Sequence, residues 1–351
     1  MSVAPLKYLA NAAGTDETSL ALKQYTGSFV AAPRSGIFLY DKGDMIYKKS
    51  PGSGKSWQFL MMSDVPEPDN YSPGADLLGQ AYAVEEGTIE TDQYLMCHKW
   101  IGKDQMQMSH FDVLPRLAQA HKSRIERTID RRVFIKAAQG ARATSAVTKN
   151  GVNIHNGGNR VTRTGGTVVS AYPDSLTGAA NFRADLKTLG LAADIDNIAP
   201  ETRNRHLFMA PDMRYKLAFD ATAQVFSRDY NQRNDIQNIQ IEEVERFSVA
   251  GYPNFTSNNG PLPNQDFTAV AGTPSTYQTN FTAQAADGIP VALAMFRGME
   301  GEYGVGMVEF EGLHHTVKYF EERLSWLVMT YIRTGIRVMH PWCLGSVEVI
   351  T

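Results

Sequence analysis

Apolar positions repeat with a helical period along one long stretch of this chain and with strand-like periods over most of the rest. Between residues 112 and 142, Leu117, Ile125, Ile129, Val133, Ala137 and Ala141 recur at four- and eight-residue spacing, which draws a single apolar stripe along one helix. Asp112 suits the cap, because its carboxylate can accept from the exposed amides of the first turn, and Pro115 falls where a missing N–H costs little. The run 116–139 alone would be about 36 Å long at 1.5 Å per residue. Eight basic residues (Arg116, Lys122, Arg124, Arg127, Arg131, Arg132, Lys136 and Arg142) face only Glu126 and Asp130. The pattern predicts a helix laid along a sheet, with its basic side open to something acidic.

Strand periods surround that helix. Residues 37–47 hold apolar positions around a turn at 41–43, and SWQF opens a second apolar run. GTIETDQYLM (87–96) reads as one strand, with β-branched and aromatic residues in partial alternation. Beyond the helix, the Gly/Asn/Thr-rich segment GVNIHNGGNRVTRTGGTVV suggests a hairpin around Gly165-Gly166. NFRADLKTLGL (181–191) predicts a shorter helix, HLFM (206–209) a buried strand ending at Pro211-Asp212, and 213–226 a further helix. A strand is expected near 246–250, surface loops over 253–287, and strands at 289–295, 304–310, 316–338 and 345–351. Residues 1–35 show no sustained period and are expected to form an arm.

Charge changes this picture in one place. The chain has 351 residues and a net charge of −3, yet no Lys or Arg falls between Ser56 and His98. That interval carries Asp64, Glu67, Asp69, Asp76, Glu85, Glu86, Glu90 and Asp92. Two strands joined by an acidic, proline-containing excursion describe a projecting hairpin, which cannot bury enough surface to hold itself. A hairpin of one copy resting on the basic helix of the next would use both features, with Asp64, Glu67, Asp69, Asp76, Glu85 and Glu86 facing Arg124, Arg127, Arg131 and Arg132. Two solvated charged surfaces are the plainer reading of the same charges.

Candidate chemistry is sparse. Gly52-Ser53-Gly54-Lys55-Ser56 ends like a phosphate-binding loop, but Lys49 occupies the place of its first glycine and a strand pattern follows where a helix is needed. His314-His315 lacks zinc-protease spacing, and Cys97-His98 with His340 and Cys343 are two isolated pairs, too few for a metal site. No nucleophile has a local catalytic signature, so catalytic, cofactor-binding and metal residues are all expected to be none. Two distant cysteines give no disulfide framework. The N-terminus lacks a signal-peptide pattern and the apolar run 327–332 is too short to span a bilayer, so synthesis in a cytoplasm and no membrane are expected. The basic helix remains a candidate for phosphate contact without sequence readout.

Taken in order, the parts resemble the major capsid protein of tailed bacteriophages, of the podovirus type. Ser53-Gly54-Lys55-Ser56-Trp57-Gln58-Phe59 looks like the opening of that family's extended loop, Gly87-Thr88-Ile89-Glu90 like its return, and 112–142 like its spine helix. His206 to Met213 is similar to its strand-then-helix segment, and 335–347 to the closing strand pair of its peripheral domain. The resemblance implies an α+β fold shared with encapsulins: an N-terminal arm (1–44), an extended loop (45–108), a peripheral domain (109–194), an axial domain (195–315) and return strands (316–351). It also implies self-assembly into hexamers and pentamers of an icosahedral head around double-stranded DNA, touched without sequence preference. An encapsulin-like compartment shell is the alternative. Implied partners are further copies of the chain, a portal, a decoration protein and a separate scaffolding protein, because the segment before Ile37 looks too short to be a scaffolding extension. The lysine-free loop has no amine for the covalent cross-links of some capsids.

Overall fold

The computed structural model describes residues 45–51, 54–63, 70, 82–104, 113–149, 152–196, 198, 204–209, 211–217, 243–245, 247–250, 277, 288–298 and 301–350. The expected arm (1–44), the Asp112 cap, residues 218–226 of the expected helix and the loops of 253–287 other than Tyr277 lie outside these. In chain order the strands before the long helix are β1 (Tyr47–Lys49), β2 (Ser56–Met62), β3 (Val84–Glu90) and β4 (Leu95–Gly102). Helix α1 (Val113–Arg142) follows, then β5 (Val147–Lys149), β6 (Val152–His155), β7 (Asn159–Thr164), α2 (Val168–Ala171) and α3 (Leu176–Ile195). Next come β8 (Arg205–Met209), α4 (Pro211–Leu217), β9 (Glu243–Val244), β10 (Phe247–Ala250) and β11 (Ile289–Phe296). The chain closes with β12 (Val305–Phe320), β13 (Ser325–Val338) and β14 (Leu344–Ile350).

Helix α1 has 30 residues, about 45 Å at the usual rise, and its described span matches the sequence period. Ile125, Ile129, Val133, Ala137 and Ala141 of the stripe are buried, while Leu117 is half-buried. Toward the C-terminus Phe134, Ile135 and Ala138 are buried as well, so this half is enclosed on more than one side. Its neighbours explain why: α1 lies against β4 and β13 of one sheet and β11 and β14 of another. Small residues permit the close approach. A Cβ on Gly158 would sit 2.2 Å from the Gly140 carbonyl oxygen and 2.7 Å from Ala141 Cα, backbone that cannot give way.

The first sheet has the order β1-β12-β13-β4. Its spine is the long antiparallel hairpin β12–β13, which turns at Glu321–Arg323 and at Leu324, a non-glycine residue with φ of 43°. The second sheet has the order β7-β14-β11-β8-β10-β9, with β11 buried along its whole length at the centre. Helix α3 packs on β7 and β14 through Phe182, Leu186, Leu189 and Ala193. Ser175 caps α3, its hydroxyl accepting from the Gly178 amide at 3.4 Å.

A buried carboxylate ties α1 to this second sheet. Glu348 on β14 has no exposed side-chain surface and accepts from Arg142 Nε of α1 and Arg160 Nε of β7, both at 2.9 Å. Arg142 also donates to the Gly288 carbonyl at 3.0 Å. Two cations gather on one fully buried anion at the junction of α1, β7, β14 and the start of β11, so the buried carboxylate is compensated while both guanidinium groups keep some exposure.

Several elements differ from the sequence expectation. The strand expected over 87–96 is broken at 91–94, where Asp92 turns toward α1 and separates β3 from β4. No hairpin forms around Gly165-Gly166; β7 instead pairs in parallel with β14, and the local hairpin is β5–β6. A partner strand nearly the whole second half of the chain away leaves no trace in local turn chemistry. Helix α3 begins earlier than 181, at Leu176 behind the Ser175 cap, and ends later than 191, at Ile195, with Ala193 still buried in the core. The strand expected at 304–310 runs on to Phe320 as β12 with register shifts near Glu309 and Glu311, passing unbroken through residues 315 and 316. The segment 335–347 is not a strand pair: β13 belongs to the first sheet and β14 to the second. Of the expected 45–108 excursion, β1 and β4 are strands of the first sheet, and only β2 and β3 stand apart as a two-stranded sheet.

Candidate intersubunit surface

The β2–β3 hairpin has two unlike faces. Strand alternation points Trp57, Phe59 and Met61, with Ile89 opposite, to one side. There Phe59 and Ile89 join Val308, Phe310 and Met339 in a small cluster separate from the main core. Trp57 stacks between Tyr47 and Phe59, with ring centroids 5.2 and 6.0 Å apart. Arg337 on β13 donates to the Thr88 carbonyl and steadies the return strand. The opposite face is open: Leu60, Met62 and Val84 are exposed, with Tyr82 beside them. Glu86 is exposed on the open face and Glu85, its neighbour, is half-buried on the other. Asp64, Glu67, Asp69 and Asp76 lie outside the described residues.

Basic residues of α1 divide by helical phase. Arg124 is exposed, and Arg127 and Arg131, three and seven residues on, share its side but are half-buried. Burial lowers the Arg131 guanidinium from its ordinary value, and the charges of Arg124 and Arg127 add to the shift. Arg127 Nε is buried without a hydrogen-bond partner among the described residues. Arg132 is on another face and is buried, pairing with Asp92 of its own chain at 3.4 Å and lying 4.9 Å over the Tyr277 ring. It was grouped with the outward row on sequence grounds; helical phase takes it inward. Lys122 pairs with the buried Glu126 at 3.5 Å, and Arg142 is held by Glu348. The open basic row is therefore narrower than a count of cations suggests.

Sequence reasoning missed the apolar face of the hairpin. Its signal was present in SWQFLMM, where large apolar residues occupy both parities of the strand from Phe59 to Met62, so both faces of a thin ribbon are apolar. Leu176, Leu191 and Ile195 on α3 are also exposed. The segment of Lys55 and Ser56 leads directly into strand β2, with Gly54 at φ of 113°, so no helix N-terminus faces it as a phosphate loop requires. Among the described residues no three His, Cys, Asp or Glu side chains gather as a metal site, and no helix is long and apolar enough to cross a membrane.

No family model and no curated protein matches the chain. Solved structures do. The capsid of the cyanophage P-SCSP1u is 23% identical and superposes with a TM-score of 0.75 over 98% of this chain and 97% of that one. The chain has the phage capsid fold. The mature capsid of bacteriophage PhiM1 matches with a TM-score of 0.69 at 14% identity over 99% of both chains. The capsid of the native GTA particle matches at 0.56 with 13% identity over 98% of this chain and 100% of that one.

Proposed function

We propose that the chain is the major capsid protein of a phage head, assembling into hexamers and pentamers of an icosahedral shell that encloses double-stranded DNA. The observation that carries this reading is the superposition on the capsid of the cyanophage P-SCSP1u, with a TM-score of 0.75 over 98% of this chain and 97% of that one. The subunit surface is consistent with it. A thin hairpin with an open apolar face and acidic residues, and a helix with a basic row, are unlike surfaces on one chain. Contacts between unlike surfaces are head-to-tail and close into rings when the rotation permits.

In this assembly the β2–β3 hairpin of one copy serves as an extended loop that, through Asp64, Glu67, Asp69, Asp76 and Glu86, lies toward Arg124, Arg127 and Arg131 of the next, while Glu85 faces its own subunit. Leu60, Met62 and Val84 supply the apolar contact, and charge sets orientation. Arg132 acts within its own subunit. The first sheet with α1 forms the peripheral body and the second sheet the axial body, so the axial body takes in β7 and β14 as well as the middle of the chain. Self-assembly is the activity, without catalysis. A separate scaffolding protein, a portal and a decoration protein complete the head in the virion, after synthesis in the host cytoplasm. DNA is met through backbone phosphates only.

The test is expression of the full chain with its phage's scaffolding protein, followed by sedimentation and negative-stain microscopy. Closed shells of uniform size are expected. A chain that stays monomeric under every assembly condition overturns the proposal, and shells from infected cells filled with an enzyme instead of DNA would identify a protein compartment.

A further inference from the structure

We propose that the Asp92 carboxylate is a catch that seats the extended loop on its own subunit, and that the loop pivots about residues 91–94 when the catch opens. The link between β3 and β4 is four residues long; Tyr94 at its far end donates to Glu311 of β12 at 2.7 Å, and its ties to α1 and Tyr277 are made by Asp92. The Asp92 amide donates to the Thr334 carbonyl of β13 at 2.9 Å. Its carboxylate accepts from Tyr277 Oη at 2.6 Å and from Arg132 Nη1 of α1 at 3.4 Å. Arg132 and Lys136 both lie over the Tyr277 ring, at 4.9 and 5.1 Å, so one carboxylate and one phenol gather both cations. Tyr277 is 1% exposed.

The seat is tight and small. A Cβ on Gly335 would stand 2.1 Å from the Glu90 carbonyl oxygen, so only glycine lets β13 meet the end of β3. Apolar support comes mostly from the separate cluster around Phe59 and Ile89, with Met61 the hairpin side chain that also touches the main core, so the loop can leave with little opening of that core. Such weakly tied units are the ones that open locally.

Groups facing Asp92 are Arg132 and Lys136 from α1, the Tyr277 phenol, and from β13 the Thr334 carbonyl, which holds the Asp92 amide; Arg337 on β13 faces Lys136. Burial raises the carboxyl above its ordinary value of 3.8, against the opposing pull of Tyr277, Arg132 and Lys136. A loop that swings out returns Asp92 to water and to that ordinary value, so between the open and seated values a seated loop holds a proton that the open loop gives up. Falling pH therefore favours the seated loop and rising pH the open one.

Hydrogen exchange on the unassembled subunit tests the catch, corrected for intrinsic rates from about pH 4 to about pH 7. Asp92→Ala is expected to speed exchange in 84–92 by about tenfold or more, the loss of a hydrogen bond to a charged group, with 325–338 unchanged. Asp92→Asn keeps an uncharged acceptor, so exchange should stay near wild type and lose its pH dependence. Tyr277→Phe should fall between the two and serves if the alanine variant does not fold. Unchanged loop exchange in Asp92→Ala or Tyr277→Phe, an equal rise across β12 and β13, or an asparagine variant that keeps the pH dependence overturns the proposal. The catch belongs to the single chain, so its failure leaves the assembly reading standing.

Discussion

Removing the carboxylate of Glu348 isolates the joint between the spine helix and the second sheet. Its side chain is fully buried, whereas its partners Arg142 and Arg160 retain 16% and 21% exposure. Deleting one member of a buried pair costs about 3–5 kcal/mol, because the partner's charge is left without compensation. Water can reach both guanidinium groups, which places Glu348→Ala near the lower end, at about 3 kcal/mol. Glu348→Gln keeps the shape and one acceptor, so one guanidinium keeps its bond while the other faces an amide NH2 and loses its own, a loss of about 2 kcal/mol. Urea unfolding of dilute subunits, followed by tryptophan fluorescence, reads the difference as a shift in midpoint at constant slope. An alanine variant within about 0.5 kcal/mol of wild type would show that the charges are solvated in the native state. A glutamine variant as damaged as alanine would show that charge alone holds the joint and that the retained shape and acceptor contribute nothing.

Other outcomes follow from the same geometry. Gly158→Ala pushes a methyl group into the backbone of α1 and should cost about 3 kcal/mol, lowering Tm in a thermal scan by several degrees; an unchanged Tm would mean the crossing is looser. Arg124→Glu with Arg127→Glu should abolish shells in the microscope while leaving the subunit's melting curve in place, and normal shells would make the basic row a solvated surface. His121 is held below the ordinary imidazole value of 6.5 by burial first, then by His315, His98 and Lys99, and burial acts on His340 in the same direction. An unfolded chain then binds more protons below that value, so stability is full above about pH 6.5 and falls as pH drops through the folded value. His121→Gln should flatten the dependence of the urea midpoint on pH, and an unflattened curve would assign it elsewhere.

Local pattern was enough for the spine helix, because a 30-residue amphipathic period needs no partner to be visible. It was enough for the buried strands β11 and β14 and for the lysine-free hairpin, since strand composition and charge are read residue by residue. Tertiary structure alone decided which cations of the helix face out. Arg131 and Arg132 are adjacent in sequence, but a turn of 100° between them puts Arg132 over Tyr277, more than a hundred residues away. It likewise decided that β7 runs beside β14, that β13 and β14 part into two sheets, and that Asp92 interrupts a strand. Each of these depends on a partner distant in the chain, and polarity along the sequence records that a side chain will be buried or paired, not with what.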